Sequence, residues 1–205
     1  MSEASTEQLD HEQGRWAVEF AREVVESAAR RAVIPTAPAD IDPEFRSTRG
    51  AFVTLEKRGS LRGCIGRPYP EQTAIQAIRE AAVGAATNDP RFPPVSPDEL
   101  AAITVEVSVL TPPTPMEEVS PSAVTVGSDG LIVRAGERSG LLLPQVPVDN
   151  DWGPREFLEK TCEKAGLHGE CWKRSNVDVL QFGAQVFGEV EPRGSIEAKP
   201  LEETE

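Results

Sequence analysis

Two hydrophobic periods divide the chain, and its elements begin where one gives way to the other. From Gly14 to Val33, Trp16, Val18, Phe20, Val24, Val25 and Ala28 recur at three- and four-residue steps. Arg15, Glu19, Arg22, Glu23 and Glu26 fill the other face. This predicts an amphipathic helix that stops before Pro35 and Pro38. Ala51–Glu56 predicts a strand, Lys57-Arg58-Gly59-Ser60 a hairpin turn, and Leu61–Ile65 the returning strand, ending at Gly66. Pro70–Thr87 predicts a helix whose inner face is mostly small, with Ala74, Ala77, Ala81, Ala82 and Ala85 beside Ile75 and Ile78. Ile103–Leu110 alternates strictly. Ile103, Val105, Val107 and Val109 share one face and Thr104, Glu106 and Ser108 the other, as in a half-buried strand. Short strands are expected at Ala123–Val126 and Gly130–Arg134, around the Ser128-Asp129-Gly130 turn. A turn at Glu137–Gly140 then leads into the apolar run Leu141–Leu143. Pro154–Lys164 predicts a helix with Gly166 just past its end, and Val179–Val190 a final strand.

Strands outnumber long helices, and short turns join several of them. That pattern predicts an α+β fold, a largely antiparallel sheet flanked by helices, not alternating βαβ units. Residues 1–13 and 191–205 are polar and acidic and read as flexible tails around a domain of residues 14–190. No internal repeat, dinucleotide fingerprint or phosphate-binding loop is present.

Charge changes the list of partners. The formal net charge is −13, dispersed along the chain, with five lysines against sixteen arginines. A dispersed acidic surface poor in lysine predicts adaptation to high salt, as in a halophilic archaeon, where self-repulsion is screened. It also argues against nucleic acid as a partner, because phosphate contacts need cations. No apolar run approaches the roughly 18 residues of a membrane span, so no membrane association is expected. The N-terminus lacks the basic and apolar regions of a secretory signal. Three scattered cysteines do not make a disulfide framework, so reduced thiols and a cytoplasmic location are expected.

Cys64 is the first candidate for chemistry. It lies between Gly63 and Gly66, which permit close backbone approach, and between Arg62 and Arg67, whose charge favours a thiolate. The plainer alternative is a buried structural cysteine in a glycine-shaped bend. Asp89 and Arg91, around Pro90, form a second candidate that suits a carboxylate ligand or a partner backbone; an internal ion pair in a turn is the alternative. Glu106 is the one carboxylate on its strand face, and Gln145 follows Pro144 with a free amide. Cys162, His168 and Cys171 match no standard zinc spacing, so no metal is expected. His11 and His168 lie far from Cys64 in sequence, so no cysteine–histidine catalytic pair is predicted.

In order along the chain, Leu61-Arg62-Gly63-Cys64-Ile65-Gly66, Asn88-Asp89-Pro90-Arg91-Phe92-Pro93-Pro94-Val95, Val105–Leu110, Gly130–Val133, Gly140–Val146 and Phe157–Trp172 resemble the AMMECR domain family. Members of that family are also called AmmeMemoRadiSam system protein A. The resemblance implies a larger and a smaller lobe, with a cleft between them lined by the first motif. Within that cleft the residues themselves make Cys64 the catalytic candidate, with Arg62, Gly63, Gly66, Asp89, Arg91, Glu106 and Gln145 as the groups around it. The resemblance links the chain to Memo-like and radical SAM partners and implies no cofactor of its own. Two readings stay open. One is an enzyme or enzyme subunit using a cleft cysteine. The other is a non-catalytic binding or adaptor protein for a small molecule or protein partner, tied to transcription, translation or repair.

Overall fold

The computed structural model describes residues 8–199, and they divide into two compact units. The first runs to Leu110 and resumes at Gln185–Lys199. The second is Thr111–Ala184.

The first unit opens with helix α1, His11–Ala29. Asp10 accepts the N–H of Gln13 while the Gln13 side chain accepts the N–H of Asp10, so the first turn is capped from both ends. The helix therefore starts three residues before the expected Gly14. Leu9 is buried too, and its backbone exchanges hydrogen bonds with the Gln185 side chain. Residues 8–13 are thus built into the fold, correcting the expected tail; residues 1–7 of that tail lie outside the described residues. Strands β1 (Ala51–Lys57) and β2 (Ser60–Arg67) follow, then helix α2 (Ala74–Thr87) and strand β3 (Ile103–Leu110). Arg58 (φ +55°) and Gly59 (φ +75°) make the predicted turn between β1 and β2, a left-handed pair that matches strand twist.

In the second unit come strands β4 (Thr114–Pro115), β5 (Gly130–Ala135) and β6 (Arg138–Leu142). Helices α3 (Gln145–Asp149) and α4 (Pro154–Lys164) and strand β7 (Asp178–Phe182) complete it. The expected strand at Ala123–Val126 is not formed: a 3-10 turn at Pro121–Ala123 takes its place, because Pro121 favours that start. The single strand expected at Val179–Val190 is two, β7 and β8 (Ala184–Glu189), and they belong to different sheets. Strand β9, Ile196–Lys199, pairs antiparallel with β8. It occupies part of the expected C-terminal tail; residues 200–205 lie outside the described residues.

The first sheet has the order β2-β1-β3-β8-β9, and the second β4-β7-β5-β6. The β1–β2, β1–β3, β4–β7, β5–β6 and β5–β7 pairs are antiparallel, as the sequence pattern predicted. In the first unit α1 and α2 cover one face of the sheet. Their alanines and valines close on Val53, Leu55, Val105 and Val107, all fully buried. Arg22 crosses this core to a bidentate ion pair with Glu189, whose carboxylate also accepts the N–H of Val105 at 3.0 Å. The buried charges are therefore matched. In the second unit α4 packs on β5 and β6 through Phe157, Leu158 and Cys162.

Cys162 and Cys171 form a disulfide at the end of α4, with both residues fully buried. This corrects the expectation of three reduced thiols. Nine residues of separation hid the pair, because the Gly166 turn (φ +71°) folds the chain back and brings the two Cα atoms to 5.9 Å. A bonded pair also leaves nothing for zinc, and no metal-binding cluster occurs among the described residues.

Candidate functional site

A bulge decides which way Cys64 points. A two-residue turn at Arg58-Gly59 with regular pairing would set Cys64 opposite Val53, whose side chain is buried beneath the helices. Instead the register slips at Leu55 and Glu56. Leu55 pairs with Gly63 and Glu56 with Leu61, leaving Arg62 as the extra residue. Cys64 now faces Thr54 across the hairpin, on the side of the sheet away from α1 and α2. Gly63 faces α2, and a Cβ there would overlap the carbonyl oxygen of Ala85. A Cβ at Gly66 would overlap the ring of Phe52. Both glycines of the motif thus answer close approach, and neither has a positive φ.

Around the thiol, Thr54 Oγ1 lies 3.4 Å from Cys64 Sγ, with the hydroxyl as donor. Cys64 is half-buried and is the free cysteine of the chain. Its backbone is held from the side. β2 is an edge strand, and at Cys64 its outward N–H donates to Asp89 Oδ2 at 2.8 Å. Its carbonyl accepts from Arg91 Nη2 at 3.3 Å. Asp89 and Arg91 therefore act toward Cys64 as a neighbouring strand would. They are joined to each other by Arg91 Nε and Nη2 on the carboxylate, at 3.0 and 2.7 Å. Asp89 is almost wholly buried. The Arg91 guanidinium first, then the N–H groups of Cys64 and Arg91, hold its carboxyl well below the usual carboxylate range. The Arg91 pKa is raised in turn, by Asp89 foremost and then by charge and hydrogen-bonding interaction with Cys64. Arg91 thus pairs with Asp89 and reaches the Cys64 backbone carbonyl.

Arg62 has a different task. Its guanidinium pairs with Glu99 through Nε and Nη2, at 3.0 and 2.9 Å, and donates to the carbonyls of Pro93 and Pro94. That arrangement, with Arg62 foremost and Ser96 N–H and Lys57 after it, holds the Glu99 carboxyl well below its usual range. The Phe92 ring lies near both guanidinium groups, 5.9 Å from Arg62 and 5.5 Å from Arg91. Residues 89–94 are in this way laid along the β2 edge from Arg62 to Cys64. Arg67 pairs with Glu80 at 2.9 Å, away from the thiol.

Glu106 lies across from Thr54 on β3, so Cys64, Thr54 and Glu106 form one row across three strands. Its carboxylate is bound by Lys199 Nζ at 2.7 Å, from the end of β9. A Cβ at Gly188 would press on the Lys199 side chain, so that glycine clears the path of the lysine. Gln145 begins α3 in the second unit, with its side chain exposed. Thr54, Glu99 and Lys199 were missed by sequence reasoning. The Cys64–Thr54 pairing becomes legible only with the bulge, and Lys199 sat in a presumed tail.

Two antiparallel sheets and a glycine-flanked thiol braced at a sheet edge place the chain in an α+β class of two-unit proteins with one accessible cysteine. The AMMECR1 family model matches residues 18–187, and the chain belongs to that family. A protein of Thermococcus gammatolerans is 47% identical over 201 residues, covering 94% of this chain and 98% of the relative. One from Methanothermobacter thermautotrophicus is 51% identical over 185 residues, covering 88% and 96%. The crystal structure of uncharacterized protein PH0010 from Pyrococcus horikoshii aligns with a TM-score of 0.79 at 44% identity, covering 94% and 98%. No helix among the described residues is long and apolar enough to cross a membrane.

Proposed function

We propose that Cys64, the free cysteine on the face of the first sheet away from α1 and α2, is the working group of this protein, and that the protein acts through it as an enzyme or enzyme subunit. The observation that carries this is the Thr54 hydroxyl 3.4 Å from Sγ of the free, half-buried cysteine, whose backbone Asp89 and Arg91 hold in place. A sulfur fixed in position and met by a hydroxyl donor is arranged for nucleophilic use. His11 opens the first turn of α1, and His168 Nδ1 accepts the N–H of Glu170. The chemistry that fits is attack by the Cys64 sulfur on a disulfide or on an electrophilic carbon bearing a leaving group, the displaced thiol or leaving group departing with the bonding pair. The Memo-like and radical SAM partners implied by the family belong to this proposal as the proteins that supply or consume the group transferred. Of the Arg58, Arg62 and Arg67 patch that a nucleic-acid role would use, Arg62 and Arg67 are each paired with a carboxylate.

The test is direct, because the disulfide leaves Cys64 as the free thiol. Iodoacetamide should alkylate the native protein at pH 7 faster than the urea-unfolded protein with its disulfide intact. Thr54→Val and Arg91→Met should each slow the native reaction. A native rate at or below the unfolded rate would sink the proposal. One observation favours a second reading, a non-catalytic binding protein: Asp89 and Arg91 spend their hydrogen bonds on the Cys64 backbone. On that reading Cys64→Ser keeps partner binding intact.

A further inference from the structure

The cover on the β2 edge stops short. Residues 89–94 occupy the edge from Arg62 to Cys64. Outward-pointing amides on a strand alternate, so Gly66, two residues beyond Cys64, turns its N–H and C=O the same way. No strand, and no side-chain contact among the described residues, answers that pair. Beyond it the Pro68–Gln72 turn closes the edge, fixed by Arg49 N–H on the Gln72 carbonyl at 3.3 Å and by a Thr48–Thr73 bridge. A notch one residue long remains. It opens on a cavity of about 260 Å³ lined by Gly66, Arg67, Tyr69, Glu71, Gln72 and Glu80.

We propose that this notch binds one extended residue of a peptide, pairing it with the Gly66 backbone and taking a basic side chain into the adjoining cavity. A residue in extended conformation offers the one N–H and one C=O that an antiparallel pair exchanges with Gly66. The cavity is smaller than those that hold drug-sized ligands and suits a single side chain. Its charges choose that side chain. Arg67 and Glu80 satisfy each other, while the exposed Glu71 carboxylate has no cation of its own among the described residues. The strand rise puts the bound residue about 7 Å along β2 from Cys64. This deepens the thiol reading by naming a peptide as the ligand class, and rests on it only for what the thiol then does.

The experiment titrates acetyl-lysine-methylamide into the full chain and follows the Gly66 amide by NMR and hydrogen exchange. A saturable shift of Gly66 with a millimolar midpoint and slower exchange is expected. The analogue with an ester oxygen in place of the lysine α N–H should bind about tenfold more weakly, one hydrogen bond's worth. Acetyl-glutamate-methylamide should bind more weakly than the lysine compound, and Glu71→Lys, at an exposed position that folding tolerates, should reverse that order. No saturable change at Gly66, equal binding of the ester, or the same lysine preference in Glu71→Lys overturns the proposal. Cys64 alkylation is a separate readout, so failure of the notch and failure of the thiol reading are told apart.

Discussion

Asp89→Asn isolates the brace on β2. The wild-type carboxylate receives four N–H groups: Cys64 N, Arg91 N, Arg91 Nε and Arg91 Nη2. An asparagine of the same shape has one acceptor oxygen and turns an NH2 group toward donors. Losing the acceptor for a part-buried backbone N–H costs about 1–3 kcal/mol. The Arg91 side chain is half-exposed, so its pairing adds only about 0–1 kcal/mol. The sum, about 1–4 kcal/mol, lowers the melting temperature by roughly 2–16 °C in a chain of this size. The pH dependence has a definite sign. The folded carboxyl is depressed below its unfolded value, so its stabilisation is complete above the unfolded pKa and fades as acid protonates the unfolded chain and then the folded one. The wild-type advantage over Asp89→Asn should be constant from pH 7 to about pH 5 and shrink below about pH 4. Urea unfolding of both proteins from pH 7 to pH 3 measures it. A difference under about 0.5 kcal/mol at pH 7, or one that does not shrink in acid, refutes the reasoning.

Gly63→Ala should destabilise by about 1–3 kcal/mol, because its Cβ meets the Ala85 backbone and neither element can give way. Gly59→Ala, in open space at φ +75°, is the control and should cost about 1 kcal/mol; equal effects would show that the β2–α2 contact is not tight. Cys162→Ser should cost about 3 kcal/mol from the closed loop of nine-residue separation. Reductant should lower the wild-type urea midpoint and leave that variant unmoved. If the dispersed −13 charge is a high-salt adaptation, the urea midpoint should rise from low salt to molar KCl; a midpoint that falls or holds steady counts against it.

Where local pattern carried the information, the sequence was enough. Ile103–Leu110 and Pro154–Lys164 begin and end where their periodicity and Pro154 put them. Three features were out of its reach for physical reasons. The apolar run through Gly183 reads as one strand, because burial is required on both sides of that glycine although the two halves serve different sheets. The register bulge at Arg62 leaves no local signature, since nothing in the Arg58-Gly59 turn announces an extra residue further along β2; yet it sets the face of Cys64. Arg62 sits inside the motif and Arg91 far along the chain, so the sequence points to Arg62 as the partner of Cys64. Long-range partners decide otherwise: Glu99 holds Arg62 as a clamp on residues 93–94, and Asp89 holds Arg91 against the Cys64 backbone.

The cover that residues 89–94 lay over β2 also bears on how the protein behaves in concentrated solution. A bare sheet edge is a template for copies of itself. Here the template is interrupted by a carboxylate that stays charged unless the solution is strongly acid. Titrating Asp89 frees the Cys64 N–H and lengthens the open edge from one outward residue to two. Strand-to-strand clumping in acid should therefore set in before the helices melt, so turbidity should precede loss of helical circular dichroism.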